Sequence, residues 1–151
     1  MTANYQPGEN RQDLTWLLDS FVRSTPGARL GVVVSADGLL MTMSGGADRT
    51  VGDIMAAICS GMSSLARGAG RELGIGRDRQ SVIEYEEGFV MLMSISNGSV
   101  LAVLCEPDSD VGLVGYEMAT LVSRAETFLT PALIAQMRDS LPTTGTVRGG
   151  M

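Results

Sequence analysis

The sequence predicts an α+β domain, a five-stranded antiparallel sheet with helices on both faces, in the order α-β-β-α-β-β-β-α. Three observations carry that prediction. Asp37-Gly38 and Asn97-Gly98 stand between short β-prone runs, where glycine supplies the positive φ that tight hairpin turns demand. Three longer segments repeat apolar residues at the spacing of three and four that marks a helix face. Apolar residues make up 44% of the 151 positions. A chain of that size buries roughly 70% of its unfolded surface, so one core suffices.

The elements follow in order. Residues 1–12 are polar and hold Pro7 and Gly8, which reads as a disordered leader to a domain spanning 13–139. Asp13 is a plausible cap for a first helix carrying Leu14, Leu17, Leu18, Phe21 and Val22 on one stripe, ended by Pro26-Gly27. Trp16 points off that stripe. Leu30–Val34 and Leu39–Met43 form the first hairpin. A second helix over residues 50–67 shows Val51, Ile54, Ile58, Met62, Leu65 and Ala69 as its core stripe, widened by Met55 and Ala66. Opposite them lies a row of small residues, Ala57, Gly61, Ser64 and Gly68. Gly61 in mid-helix costs about 1 kcal/mol relative to Ala. Either another backbone comes close along this row, or the row packs on the domain's own sheet. Gly68–Gly76 reads as a glycine-rich loop. Strands follow at Gln80–Glu86, Phe89–Ser96 and Ser99–Cys105, joined at Glu87-Gly88 and Asn97-Gly98. The middle run is apolar on both faces and so covered on both sides, while the polar first run reads as an edge. Asp108 and Asp110 offer caps to a third helix over Val111–Phe128, ended by Thr130-Pro131. Ala132–Arg138 is a short helical tail, and residues 140–151 read as disordered.

Composition removes many chemistries. The basic residues are eleven arginines, with no lysine and no histidine. A P-loop, a Schiff-base lysine, a catalytic triad and a histidine-ligated metal are therefore impossible. A net charge of −6 argues against nucleic acid, whose phosphates need a basic surface. No apolar run reaches the roughly 18 residues of a membrane span, and the first residues lack the pattern of a signal peptide. Cys59 and Cys105, far apart in sequence, fit free core thiols in a reducing, cytoplasmic setting better than a disulfide framework or a metal site.

The remaining candidates are weak as sites. Gly68, Gly70, Gly74 and Gly76 close a helix and precede a strand, the reverse of a dinucleotide-binding loop. Glu84, Glu86 and Glu87 read as charges that protect an edge strand from indiscriminate pairing. The ten methionines read mainly as adaptable core packing. The residues thus predict no catalytic group, cofactor or metal, and point to a non-enzymatic module with a helix-and-edge interface.

Five blocks in order carry a resemblance: Leu14–Leu18 (LTWLL), Gly31–Leu39 (GVVVSADGL), Val82–Leu104 (VIEYEEGFVMLMSISNGSVLAVL), Asp110–Met118 (DVGLVGYEM) and Leu129–Pro131 (LTP). Together they resemble the roadblock/dynein light chain family, with its profilin-like fold, and in particular the stand-alone bacterial proteins encoded in actinobacterial conservons. The resemblance implies a homodimer that partners a small Ras-like GTPase, with a sensor-kinase-like protein as a further associate. Some relatives accelerate GTP hydrolysis and others only scaffold; the family supplies no catalytic residue to carry over. It also implies a dimer built by the second helix and third strand.

For this chain that places Ala57, Gly61, Ser64, Gly68, Arg77, Arg79, Gln80, Val82, Glu84 and Tyr85 at the interface. If two Gln80–Glu87 strands pair about a two-fold axis, facing residues share parity. An axis at Val82 sets Arg79 opposite Tyr85 and Gln80 opposite Glu84, whereas an axis at Glu84 would oppose that carboxylate to itself. Arg67, Arg71, Arg77 and Arg79 are the cations near this interface. The competing class is a profilin-like small-molecule sensor, with Thr42, Ser94 and Ser96 as the polar groups of a pocket between helix and sheet.

Overall fold

The computed structural model describes residues 7–127 and residue 135. The element order is α1 (Pro7–Ser24), β1 (Ala28–Val34), β2 (Leu40–Met43), α2 (Arg49–Glu72), β3 (Gln80–Tyr85), β4 (Gly88–Ser94), β5 (Val100–Cys105) and α3 (Val111–Ala125), with a 3-10 turn at Ser96–Gly98. All strand pairings are antiparallel, and the sheet order is β2-β1-β5-β4-β3. The predicted class and order are therefore observed, with β3 at an edge. The helical tail Ala132–Arg138, the stop at Thr130-Pro131 and the C-terminal segment lie outside the described residues, apart from residue 135.

Alternation along the strands separates two cores. Val33, Met91, Leu101, Val103 and Cys105 meet Leu14, Leu18 and Phe21 of α1 and Val114, Met118 and Leu121 of α3 on one face. Val32, Val34, Leu92, Val100 and Ala102 meet Ala56 and Cys59 of α2 on the other. β4 is apolar on both faces because it contributes to both cores.

Three boundaries differ from the sequence reading. α1 begins at Pro7, inside the segment read as a disordered leader, because proline suits the first helical position, where its absent N–H would have no partner. Asp13 therefore lies within the helix. α2 runs through Gly68 and Gly70 to Glu72, so the glycine-rich segment is partly helical. Its end is a Schellman cap: the Ile75 N–H bonds the Gly70 carbonyl at 3.0 Å and the Gly74 N–H bonds that of Arg71 at 3.3 Å. Gly74 takes φ +67°, and the Gly76 carbonyl lies 2.0 Å from where a Cβ on Gly70 would be. Finally, the β3–β4 turn is Glu86-Glu87, with Gly88 paired to Tyr85 inside the ladder. The other two hairpins use longer turns, in which Gly38 (φ +87°) and Gly98 (φ +88°) hold the left-handed position. Caps form at Asp48, accepting from the Thr50 N–H at 2.9 Å, and at Asp110, accepting from the Leu113 N–H at 3.1 Å.

Candidate partner interface

α2 lies on the sheet through small residues. Gly52, Ala56, Cys59, Ser63 and Gly70 are its buried positions. A Cβ on Gly52 would stand 2.9 Å from the Met43 sulfur, so a larger side chain there would have to displace Met43 and Leu40. The large apolar stripe expected to form the core points elsewhere. Ile54 is 53% exposed, Ile58 54% and Leu65 77%, and Val51 and Ala69 are also exposed; only Met55, Met62 and Ala66 are half-buried. This corrects the sequence reading. Amphipathic logic turns the largest hydrophobes inward for a lone domain, but here a row of small residues lets helix and sheet approach closely and leaves the ridge in solvent.

The second small row follows the outer surface. Ala57, Gly61 and Ser64 are exposed and Gly68 is half-buried. Nothing lies within 4 Å of where a Cβ on Gly61 would sit. Packing on the domain's own sheet therefore does not account for this row. It adjoins the Ile54–Ile58–Leu65 ridge around the helix rather than lying opposite it as the sequence reading has it, giving α2 an outer surface of large apolar and very small residues together.

β3 supplies a second unpartnered feature, an open edge. Its register against β4 puts Gln80, Val82 and Glu84 on the α3 side with Met93, Met91 and Phe89. Ser81, Ile83 and Tyr85 share the α2 side. Tyr85 and Glu84 pair with Gly88 and Phe89 across a two-residue turn. A two-residue turn makes its closing pair hydrogen-bonded, so by alternation the N–H and C=O groups of Gln80, Val82 and Glu84 face outward from the sheet. Val82 and Tyr85 are exposed, and the Gln80 side chain lies over Gly115 of α3. Arg77 and Arg79 are exposed on the segment entering this strand. Arg67 is half-buried and donates to the Ser63 hydroxyl at 2.8 Å, while Asp78 accepts from Ser94 at 3.1 Å. The structure thus collects Arg77, Arg79, Gln80, Val82, Glu84 and Tyr85 along one edge, and Ala57, Gly61, Ser64 and Gly68 along one helix.

The sequence pattern of the Roadblock/LC7 domain matches residues 14–105, from α1 through β5. The chain belongs to the Roadblock/LC7 family. A Roadblock/LC7 domain from Streptomyces avermitilis is 36% identical, with a TM-score of 0.73, over 76% of this chain and 96% of that one. MglB from Myxococcus xanthus shares the fold at 14% identity, with a TM-score of 0.73, over 95% of this chain and 99% of that one. The gliding protein MglB of Thermus thermophilus superposes at a TM-score of 0.69 and 15% identity, covering 85% and 94% of the two chains. No curated protein matches the chain by sequence.

Within this roadblock domain the other sequence candidates fall into place. Cys59 and Cys105 are buried on opposite faces of the sheet, and burial pushes both thiols up to about 11. Such thiols stay protonated and inert at neutral pH. Glu84, Glu86 and Glu87 are exposed around the β3–β4 turn. Among the described residues no three His, Cys, Asp or Glu side chains gather as a metal site, and no helix is long and apolar enough to cross a membrane. Thr42 is buried and bonded to Thr15 at 2.7 Å. The gap between α1, α3 and the sheet, lined by Leu14, Leu18, Val33, Ile95, Leu101 and Leu121, leaves no room for a water molecule. Ser94 and Ser96 lie outside that gap and line an open recess with Arg67, Arg77 and Asp78. The sequence reading missed the apolar ridge as an outward surface, and the signal for it was the alternative small row Gly52-Ala56-Cys59-Ser63.

Proposed function

We propose that this roadblock protein is a homodimeric regulator or scaffold that binds a small Ras-like GTPase and modulates its nucleotide state in a bacterial signalling system. It performs no chemistry of its own and works in the cytoplasm, and a sensor-kinase-like protein is a further associate. The observation that carries this reading is the pair of unpartnered features, the outer surface of α2 and the open edge of β3. An apolar ridge whose members are half or more exposed is costly in water, and an unpaired edge is a template for another strand. A second copy answers both, and in the same family MglB adopts a tetrameric arrangement.

Pairing of β3 with its symmetry mate about an axis at Val82 uses the outward groups of Gln80, Val82 and Glu84. It also places Gln80 opposite Glu84 and Arg79 opposite Tyr85, an amide–carboxylate contact and a cation–π contact. A bacterial roadblock dimer of this kind acts on its GTPase by binding one switch state better and so aligning the GTPase's own groups. The other route, an inserted arginine, falls to Arg67, Arg71, Arg77 or Arg79, the arginines nearest this surface, since the chain has no lysine or histidine. Of these, Arg67 is half-buried and bonded to Ser63, which suits positioning better than insertion into a partner. Sedimentation of the protein at micromolar concentration tests the first part, with a dimer expected and a monomer contradicting it. Arg→Ala variants at the four positions test the second: loss of stimulated hydrolysis with binding retained would favour the inserted arginine.

A further inference from the structure

Four arginines, Arg67, Arg71, Arg77 and Arg79, fall between the end of α2 and the start of β3 against two carboxylates, Glu72 and Asp78, in a chain of net charge −6. Two of them, Arg67 and Arg77, line a recess of about 250 Å³ together with Asp78, Ser94 and Ser96. Neither takes part in the ion pairs found among the described residues, which join Arg29 to Glu106 and Arg49 to Asp53. The one carboxylate in the recess, Asp78, accepts from the Ser94 hydroxyl at 3.1 Å through Oδ2 and takes part in neither of those ion pairs. Arg67 is half-buried and spends one N–H on Ser63, although a guanidinium carries five. Arg67 is partly exposed and Arg77 exposed, so both are open to a ligand, and a planar fork binds oxyanions in bidentate fashion.

We propose that this recess binds a phosphate monoester, its phosphoryl oxygens accepting from the guanidinium groups of Arg67 and Arg77 and from the Ser96 hydroxyl. Three donor side chains lining one recess match three phosphoryl oxygens better than the two of a carboxylate. The volume exceeds that of a phosphate ion and leaves space for the group that carries it. The site lies on the α2 side of the sheet, is distinct from the ridge, and does not depend on the proposed GTPase partnership.

The test is an NMR titration of the ¹⁵N-labelled full chain with inorganic phosphate, O-phosphoserine and guanosine monophosphate, with acetate at matched ionic strength as control. Saturable shifts of the Ser94 and Ser96 amides and of the Arg67 and Arg77 Nε–H signals are expected with the phosphates and not with acetate. R67Q and R77Q should each weaken binding roughly ten- to hundredfold, the loss of a charge-assisted bond. D78N should tighten it, a direction that a merely structural role for Asp78 would not give. Tighter binding of phosphoserine identifies a phosphorylated side chain as the source, and tighter binding of the nucleotide identifies a mononucleotide. Absence of saturable shifts, an equal response to acetate, or shifts that survive in both arginine variants would overturn the proposal.

Discussion

Replacing Gly61 with alanine separates what α2 does within one chain from what it does between chains. Gly61 lies in the middle of a 24-residue helix, is exposed, and has nothing within 4 Å of the position a Cβ would take. The fold of the single chain gives the glycine no role, so alanine should recover the helix propensity that glycine forfeits, about 0.8–1 kcal/mol. In urea at a concentration low enough for monomers, the midpoint should rise by that amount with an unchanged slope. In the dimer the same methyl enters a row that lets two backbones approach, and it does so once from each copy. Overpacking of this kind costs about 1–3 kcal/mol, which raises the dimer dissociation constant roughly five- to hundredfold. Urea unfolding at submicromolar concentration and sedimentation equilibrium at micromolar concentration read the two effects separately. A Gly61→Ala protein that dimerises as well as the wild type would refute the assignment of the small row to the interface. One that is less stable as a monomer would refute its exposure.

Four further outcomes are expected. Ile58→Asp, on the exposed ridge, should weaken the dimer at least about tenfold while shifting monomer stability by no more than about 0.5 kcal/mol, as sedimentation and urea unfolding will show. Met118→Ala, which empties a fully buried site between α3 and the sheet, should cost about 2–5 kcal/mol in urea unfolding, and a loss below 1 kcal/mol would contradict its core placement. Stability should fall as pH rises from about 8.5 towards 11. The folded thiols sit at about 11 while unfolded ones ionise near 8.5, so their contribution of roughly 3 kcal/mol each is complete below 8.5 and lost through the folded value. Cys59→Ala/Cys105→Ala should flatten that slope, and an unaltered slope would contradict it. Val82→Cys should form a disulfide between symmetry mates on oxidation, because facing Cα atoms at the axis lie about 5.5 Å apart, and Glu84→Cys should not; the reverse result would move the axis to Glu84.

Local chemistry made most of the fold legible. Asp37-Gly38 and Asn97-Gly98 announced two hairpins because left-handed turn positions select glycine whatever surrounds them. The polarity of Gln80–Glu86 announced an edge for a similarly local reason. The N-terminus of α1 was less legible, since Pro7 and Gly8 suggest irregular chain until the first of them is seen as the opening residue of a helix. The orientation of α2 was not legible at all. Its sequence offers a large apolar stripe and two rows of small residues, and periodicity cannot say which of three faces meets the sheet. That choice is made by how closely the backbone must approach Met43 and Leu40, a tertiary fact. The same sequence does mark a second small-residue row, Ala57, Gly61, Ser64 and Gly68, which the structure leaves exposed or half-buried on the outer side of α2. The recess that gathers Arg67, Arg77, Asp78, Ser94 and Ser96 joins residues distant in the chain and has no sequence signature.

The central claim is that this roadblock protein reads the nucleotide state of a small Ras-like GTPase. It is tested most directly by titrating the protein into a small Ras-like GTPase of the same organism, loaded either with GDP or with a non-hydrolysable GTP analogue, and measuring affinity by calorimetry. The account predicts two chains of this protein per complex and at least about tenfold tighter binding to one nucleotide form, abolished or strongly weakened by Ile58→Asp. Equal affinity for both forms, or no complex with either, would contradict it.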